Sequence, residues 1–149
     1  MRDKFIFSDG QDLGSLASTG VKSTDWYDLE YDDAGVLIKA DMMVECWVHI
    51  SILTCTQTSG NEGLHIWVVE SDATALTTPR YLGGIWLLEA EMVAGNKYNI
   101  GISKQCTLRY MGIWYAAAST TMNLATTVDA WMDDSPITSP TYRCQKRPA

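Results

Sequence analysis

A chain of 149 residues is long enough to bury one core without staples and too short for two domains of ordinary size. Hydrophobic residues make up 46% and charged residues 19%, so the chain belongs with globular proteins whose surface is Ser, Thr, Asn and Gly or is covered by a partner. A formal net charge of −7 opposes binding to nucleic acid, and no run is long and apolar enough for a signal peptide or a membrane span, so the expectation is a soluble protein made in a cytosol.

Phe5–Ser8 is a short apolar segment ended by Asp-Gly, and the Gly/Ser/Thr-rich stretch to Thr24 reads as a long surface loop behind a clamp strand. Thr24–Leu29 fits an edge strand with Trp26 and Asp28 on one side. Asp25, Asp28, Glu30, Asp32 and Asp33 then crowd together without a base between them. Their spacing fits no EF-hand loop, and a solvated acidic turn is the simpler reading. Val44–Cys55 is the longest strand signal, with Val44, Cys46, Val48, Ile50 and Ile52 on one face and Glu45, Trp47, His49, Ser51 and Leu53 on the other. Thr56–Gly63 has the composition of a hairpin loop, and Leu64–Glu70 alternates after it, so the two strands are expected to pair.

Ser71–Arg80 reads as a loop with room for one helical turn. Ile85–Glu91 and Tyr98–Ser103 are shorter strands separated by a turn at Val93–Lys97, where Gly95 and Asn96 tolerate positive φ. Thr107–Tyr115 carries large apolar or aromatic groups on both faces, the mark of a central strand covered on both sides. Met122–Met132 alternates too, after the small-residue link Ala116–Thr121, which predicts an antiparallel pair with the strand before it. Beyond Asp134 the tail holds three of the four prolines together with Tyr142, Arg143, Lys146 and Arg147. The division expected is a β-sandwich over 1–134 and a Pro-containing basic C-terminal arm over 135–149. About eight strands with no amphipathic helix give an all-β sandwich, whose strand order periodicity alone does not set.

Motifs for chemistry are sparse. His49 and His65 lie inside strands among hydrophobic neighbours and read as structural residues, and the four cysteines lack Cys-x-x-Cys spacing and read as buried reduced thiols. Glu89 and Glu91, two apart on one strand, fit an exposed edge face better than an acid–base pair. No nucleophile elbow, phosphate-cradling glycine loop or zinc-protease helix motif is present in the sequence. The expectation is a non-enzymatic protein with no catalytic residues, cofactor or metal. Aromatic content carries more information: Trp26, Trp47, Trp67, Trp86, Trp114 and Trp131 all fall on predicted strands. Trp47, Trp67 and Trp86 lie on the less apolar sides of theirs, where a shared platform would stack on sugar rings or fill a protein interface.

Taken together, Ser8-Asp-Gly-Gln11 near the start, Asp28-Leu29 before the long strand, Met43–Ile50, Arg109-Tyr-Met-Gly-Ile-Trp-Tyr115 and Val128–Met132 resemble, in order and spacing, the capsid cement proteins of short-tailed bacteriophages. The resemblance covers about Phe5 to Met132. It implies a jelly-roll-like antiparallel β-sandwich that forms a homodimer or homotrimer on the outer surface of a phage head. It also implies assembly in the host cytoplasm, the major capsid protein as partner, and no catalytic or cofactor residues. The Trp content and the basic tail depart from the family pattern. Tyr142, Arg143, Lys146 and Arg147 are the candidate contacts to the capsid or to a sister subunit. The alternative from the residues alone is a carbohydrate-binding β-sandwich using Trp47, Trp67 and Trp86.

Overall fold

The computed structural model describes residues 5–14, 16–31, 33–35, 47–56, 63–102, 106–118, 121–122, 125–133 and 142–143, the last pair and 121, 122 and 133 by backbone alone. The strands are β1 (Phe5–Asp12), β2 (Leu16–Ala17), β3 (Val21–Lys22), β4 (Tyr27–Asp28), β5 (Trp47–Cys55) and β6 (Gly63–Ser71). They continue as β7 (Arg80–Leu88), β8 (Lys97–Gly101), β9 (Tyr110–Ala117), β10 (Thr121–Met122), β11 (Thr126–Asp133) and β12 (Tyr142–Arg143), with one 3₁₀ turn at Glu89–Glu91.

Two sheets form. Sheet one runs β1-β11-β5-β8-β12 and sheet two runs β3-β9-β6-β7, with β4 beside β3 on the same edge of β9. Among the long strands only β6 and β7 are neighbours both in sequence and in a sheet. The chain otherwise changes layer at each step: β1 in one, β3 and β4 in the other, β5 back, β6 and β7 across, then β8, β9 and β11 alternately. This is the jelly-roll arrangement, with the split strand β3/β4 filling the eighth position.

Strand alternation explains the core. Val48, Ile50 and Ile52 of β5, with Val128, Ala130 and Met132 of β11, face Leu64, Ile66 and Val68 of β6 and Met111, Ile113 and Tyr115 of β9, all buried. Such side chains on a period of two need a second apolar layer. The β7-to-β8 crossing uses the turn predicted at Val93–Lys97: Asn96 donates to the Val93 carbonyl at 3.0 Å, and Gly95 sits at φ +90°, where a side chain would clash with its own backbone.

Several expectations require correction. Thr107–Tyr115 and Met122–Met132 do not pair with each other: β9 bonds β6, β3 and β4, whereas β11 bonds β1 and β5. The strands before and after Thr56–Gly63 form no hairpin either, since β5 and β6 lie in different sheets. In both cases the strands on either side of a small, polar stretch that would suit a tight turn belong to different sheets. The clamp strand extends to Asp12, the predicted loop behind it holds β2 and β3, and Thr24–Leu29 keeps only two paired residues with Trp26 outside them. Glu89 and Glu91 are not on a strand edge. They form the 3₁₀ turn and are buried, and Glu91 accepts a hydrogen bond from the Leu88 amide at 3.0 Å. Val44–Glu45–Cys46, at the start of the longest predicted strand, lie outside the described residues, as do Asp32, Lys146 and Arg147.

Candidate functional site

The outward side of sheet two is unlike a solvated sheet face. Opposite the core residues Leu64, Ile66 and Val68, β6 presents Gly63, His65 and Trp67; β7 presents Tyr81, Gly84, Trp86 and Leu88; β9 presents Trp114 and Ala116. Register places His65 across from Trp86 on one side and Ala116 on the other, and Trp67 across from Gly84 and Trp114. The imidazole of His65 is parallel to both indoles, 5.9 Å from Trp67 and 5.9 Å from Trp86. Tyr81 closes one end, 4.8 Å from Trp67, and Leu88 the other; they are 45% and 49% exposed, while the indoles are half-buried.

Glycines make this packing possible. A Cβ on Gly84 would stand 2.6 Å from the Trp67 ring and 2.7 Å from the Ile66 carbonyl, and one on Gly63 would stand 3.1 Å from Trp86 Nε1. Each indole therefore leans across the ladder into space that its neighbour's missing side chain leaves. The far end of the face is closed off. Leu76, fully buried in the loop between β6 and β7, lies over Gly112, next to Val69, and separates that region from the strip.

Burial lowers the pKa of His65 from its ordinary value near 6.5, so the strip is neutral at physiological pH. Because the folded state resists protonation here, the contribution of His65 to stability is complete above that ordinary value and is lost as pH falls below it, toward the lowered folded value. Thermal unfolding from pH 8 down to pH 5, comparing wild type with His65→Gln, is expected to show the stability gap narrowing on acidification. A constant gap would contradict that sign.

Of the three tryptophans expected to share a platform, the structure brings two together. Trp47 belongs to β5 in sheet one, opposite Gly101 and Asp133, and lies in the other layer. Tyr81, His65 and Leu88 complete the strip; the sequence pointed to neither Tyr81 nor Leu88, and His65 read only as a structural residue. The Gly83-Gly84 pair inside a strand was the available signal, because glycine within a strand marks close approach. His49 is fully buried, with Nδ1 2.5 Å from Asn99 Oδ1 and its ring 5.3 Å from Trp131. Among the described residues no group of three or more His, Cys, Asp or Glu is placed to hold a metal ion. Asp28 of the acidic turn is bound instead by Arg109, whose Nε and Nη2 reach its two carboxylate oxygens at 2.9 and 3.0 Å. The backbone of Tyr142–Arg143 lies parallel to β8 at Lys97–Tyr98, which ties part of the basic tail to the end of sheet one.

The residues that carry the resemblance also converge. Ser8 Oγ lies 2.9 Å from the buried Tyr115 hydroxyl and 2.7 Å from Gln11 Oε1. Asp28 holds Arg109, and the Leu29 amide donates to the Arg109 carbonyl at 2.7 Å. Burial of Tyr115 raises its hydroxyl pKa far above the ordinary range, so it remains a neutral partner of Ser8. Neither a scan of protein-family models nor a search of curated proteins finds a match to this chain.

Proposed function

We propose that this chain is a structural virion protein that binds the outer surface of a phage head and cements neighbouring major capsid subunits, stabilising the shell. The observation that carries the reading is the convergence just described. Ser8, itself bonded to Gln11, meets Tyr115, and Asp28 and Leu29 meet Arg109, across sequence separations of 107 and 81 residues for the Ser8–Tyr115 and Asp28–Arg109 side-chain pairs. Short motifs gathered by coincidence have no reason to touch. Motifs that fasten the first and last thirds of a jelly roll together are the framework of one fold, which supports the resemblance they carry.

The physical requirements of the role fit such a body. Cementing needs area and repeated modest contacts, which a shell multiplies by holding many copies at fixed spacing. It needs no reactive centre. Purified protein added to expanded heads assembled from the major capsid protein of the same genome is expected to co-sediment and to raise their dissociation temperature. Heads that remain bare and no more stable would overturn the reading. Residues 135–149 hold three basic side chains and no acid, so the tail is cast as an arm toward acidic capsid or sister-subunit surface. Deleting Ser139–Ala149 is expected to lower head occupancy, and unchanged occupancy removes the arm from the proposal.

One feature favours a second reading, carbohydrate binding: Trp67, Trp86 and Tyr81 share an outward face. Soluble oligosaccharides quenching tryptophan fluorescence, without co-sedimentation on heads, would select it over the first.

A further inference from the structure

We infer that the strip Tyr81–Trp67–His65–Trp86–Leu88 on the outer face of sheet two is the surface that seats on the capsid, against an uncharged apolar shelf of the major capsid protein. This rests on the cement reading and names the side of the molecule that performs it.

The first argument is charge. All 18 carboxylates of the chain lie before Ser135, yet the outward positions of β9, β6 and β7 from Trp114 to Leu88 hold none of them. A neutral aromatic strip complements a neutral shelf, because a charge buried against it would meet no counter-charge there. The ring contacts already hold Trp67, His65 and Trp86 in place, so docking costs little side-chain entropy there. Large, pre-ordered aromatic groups are those that concentrate binding energy at an interface.

Size is the second argument, and it decides between a shell and a second copy of this chain. Three strands about 4.8 Å apart, followed for some six residues at about 3.4 Å each, give a footprint of roughly 300 Å². A stable pair of proteins covers about 800 Å² on each partner. The strip alone falls well short of a lasting dimer. It is adequate as one contact among several on a repeating surface, where each further contact is made at high local concentration.

The test measures half-saturation of expanded heads by co-sedimentation. The double variant Tyr81→Ser/Leu88→Ser changes only exposed ends of the strip and leaves the core untouched, so it keeps its fold; Trp86→Ala probes the centre. Leu53→Ser, an equally exposed apolar residue on sheet one, is the control. The double variant and Trp86→Ala are each expected to need at least about tenfold more protein for half-saturation, with Leu53→Ser within about twofold of wild type. Wild-type affinity in the double variant overturns the inference and leaves the cement reading standing, as does an equal loss in Leu53→Ser. An oligomer that the double variant splits into monomers also overturns it, because the strip would then belong to self-association. Wild-type protein that ignores heads overturns the cement reading and this inference together.

Discussion

Replacing Gly83 with alanine is expected to lower the stability of the whole sandwich by about 2–3 kcal/mol, a fall of roughly 5–10 °C in Tm. The new Cβ would lie 2.6 Å from the Gly101 carbonyl oxygen and 3.5 Å from Ile100 Cγ2. Both neighbours belong to β8, in the opposite sheet, so the clash falls across the closed side of the sandwich where β7 and β8 approach. A backbone carbonyl has no rotamer to adopt. The two layers must separate by several tenths of an ångström, and the inner residues Leu82 and Ile100 lose contact as they do. Calorimetry of Gly83→Ala beside wild type is the measurement, and an unchanged Tm would mean that the layers do not approach as described.

Glu70→Ala is expected to cost about 2–3 kcal/mol through a different route. The Glu70 carboxylate is fully buried yet well satisfied. It accepts from the Thr107 amide at 2.8 Å, the Leu108 amide at 3.1 Å and the Thr107 hydroxyl at 3.3 Å, and pairs with Arg80 at 2.5 Å. One side chain thus anchors the entry to β9 onto β6. Arg80 is half-exposed, so its guanidinium is rehydrated when the partner is lost and the pair contributes only in part. Alanine leaves the two amides to water, and the start of β9 frays. Urea unfolding should show the lower midpoint, and hydrogen exchange should accelerate at Thr107 and Leu108 before it does elsewhere. Glu70→Gln keeps the shape and one acceptor and should lose roughly half as much. Equal midpoints for Glu70→Ala and wild type would sink this account.

Strands were legible wherever a period of two was pronounced, because each such run needs an apolar layer on one side. Val48-Ile50-Ile52 is inward-facing as its alternation required, whereas Thr107–Tyr115, expected to be covered on both sides, buries Met111, Ile113 and Tyr115 and leaves Trp114 and Ala116 half-buried on the outward face. Partners were not legible. Alternation tells a strand which face is wet but not which strand lies beside it, and a chain that changes layer at almost every connector defeats the rule that neighbours in sequence pair. Glu89 and Glu91 were misjudged for a related reason: two carboxylates two residues apart look like one strand face, yet the chain had already left β7 at Leu88 and turned. The same ambiguity touched the candidate surface. Trp47, Trp67 and Trp86 have equivalent local patterns, and only the strand order assigns Trp47 to the other layer. His49 reads as a structural residue from its hydrophobic neighbours and is fully buried, but its partner Asn99 was not legible, since it comes from a strand 50 positions later.

The pairing of β1 with β11 has a consequence for how the molecule is made. Phe5 meets Met132, and Asp12 meets Thr127, so β1 waits through more than a hundred residues of synthesis for β11 before its backbone is satisfied. Until then β5 also lacks one of its flanking partners, and among the described long strands the β6–β7 hairpin alone can close locally. The sandwich therefore closes only once β11 has been made, on the slow timescale of distant loop closure, and a nascent chain stalled before Thr126 exposes an apolar edge for chaperones to guard.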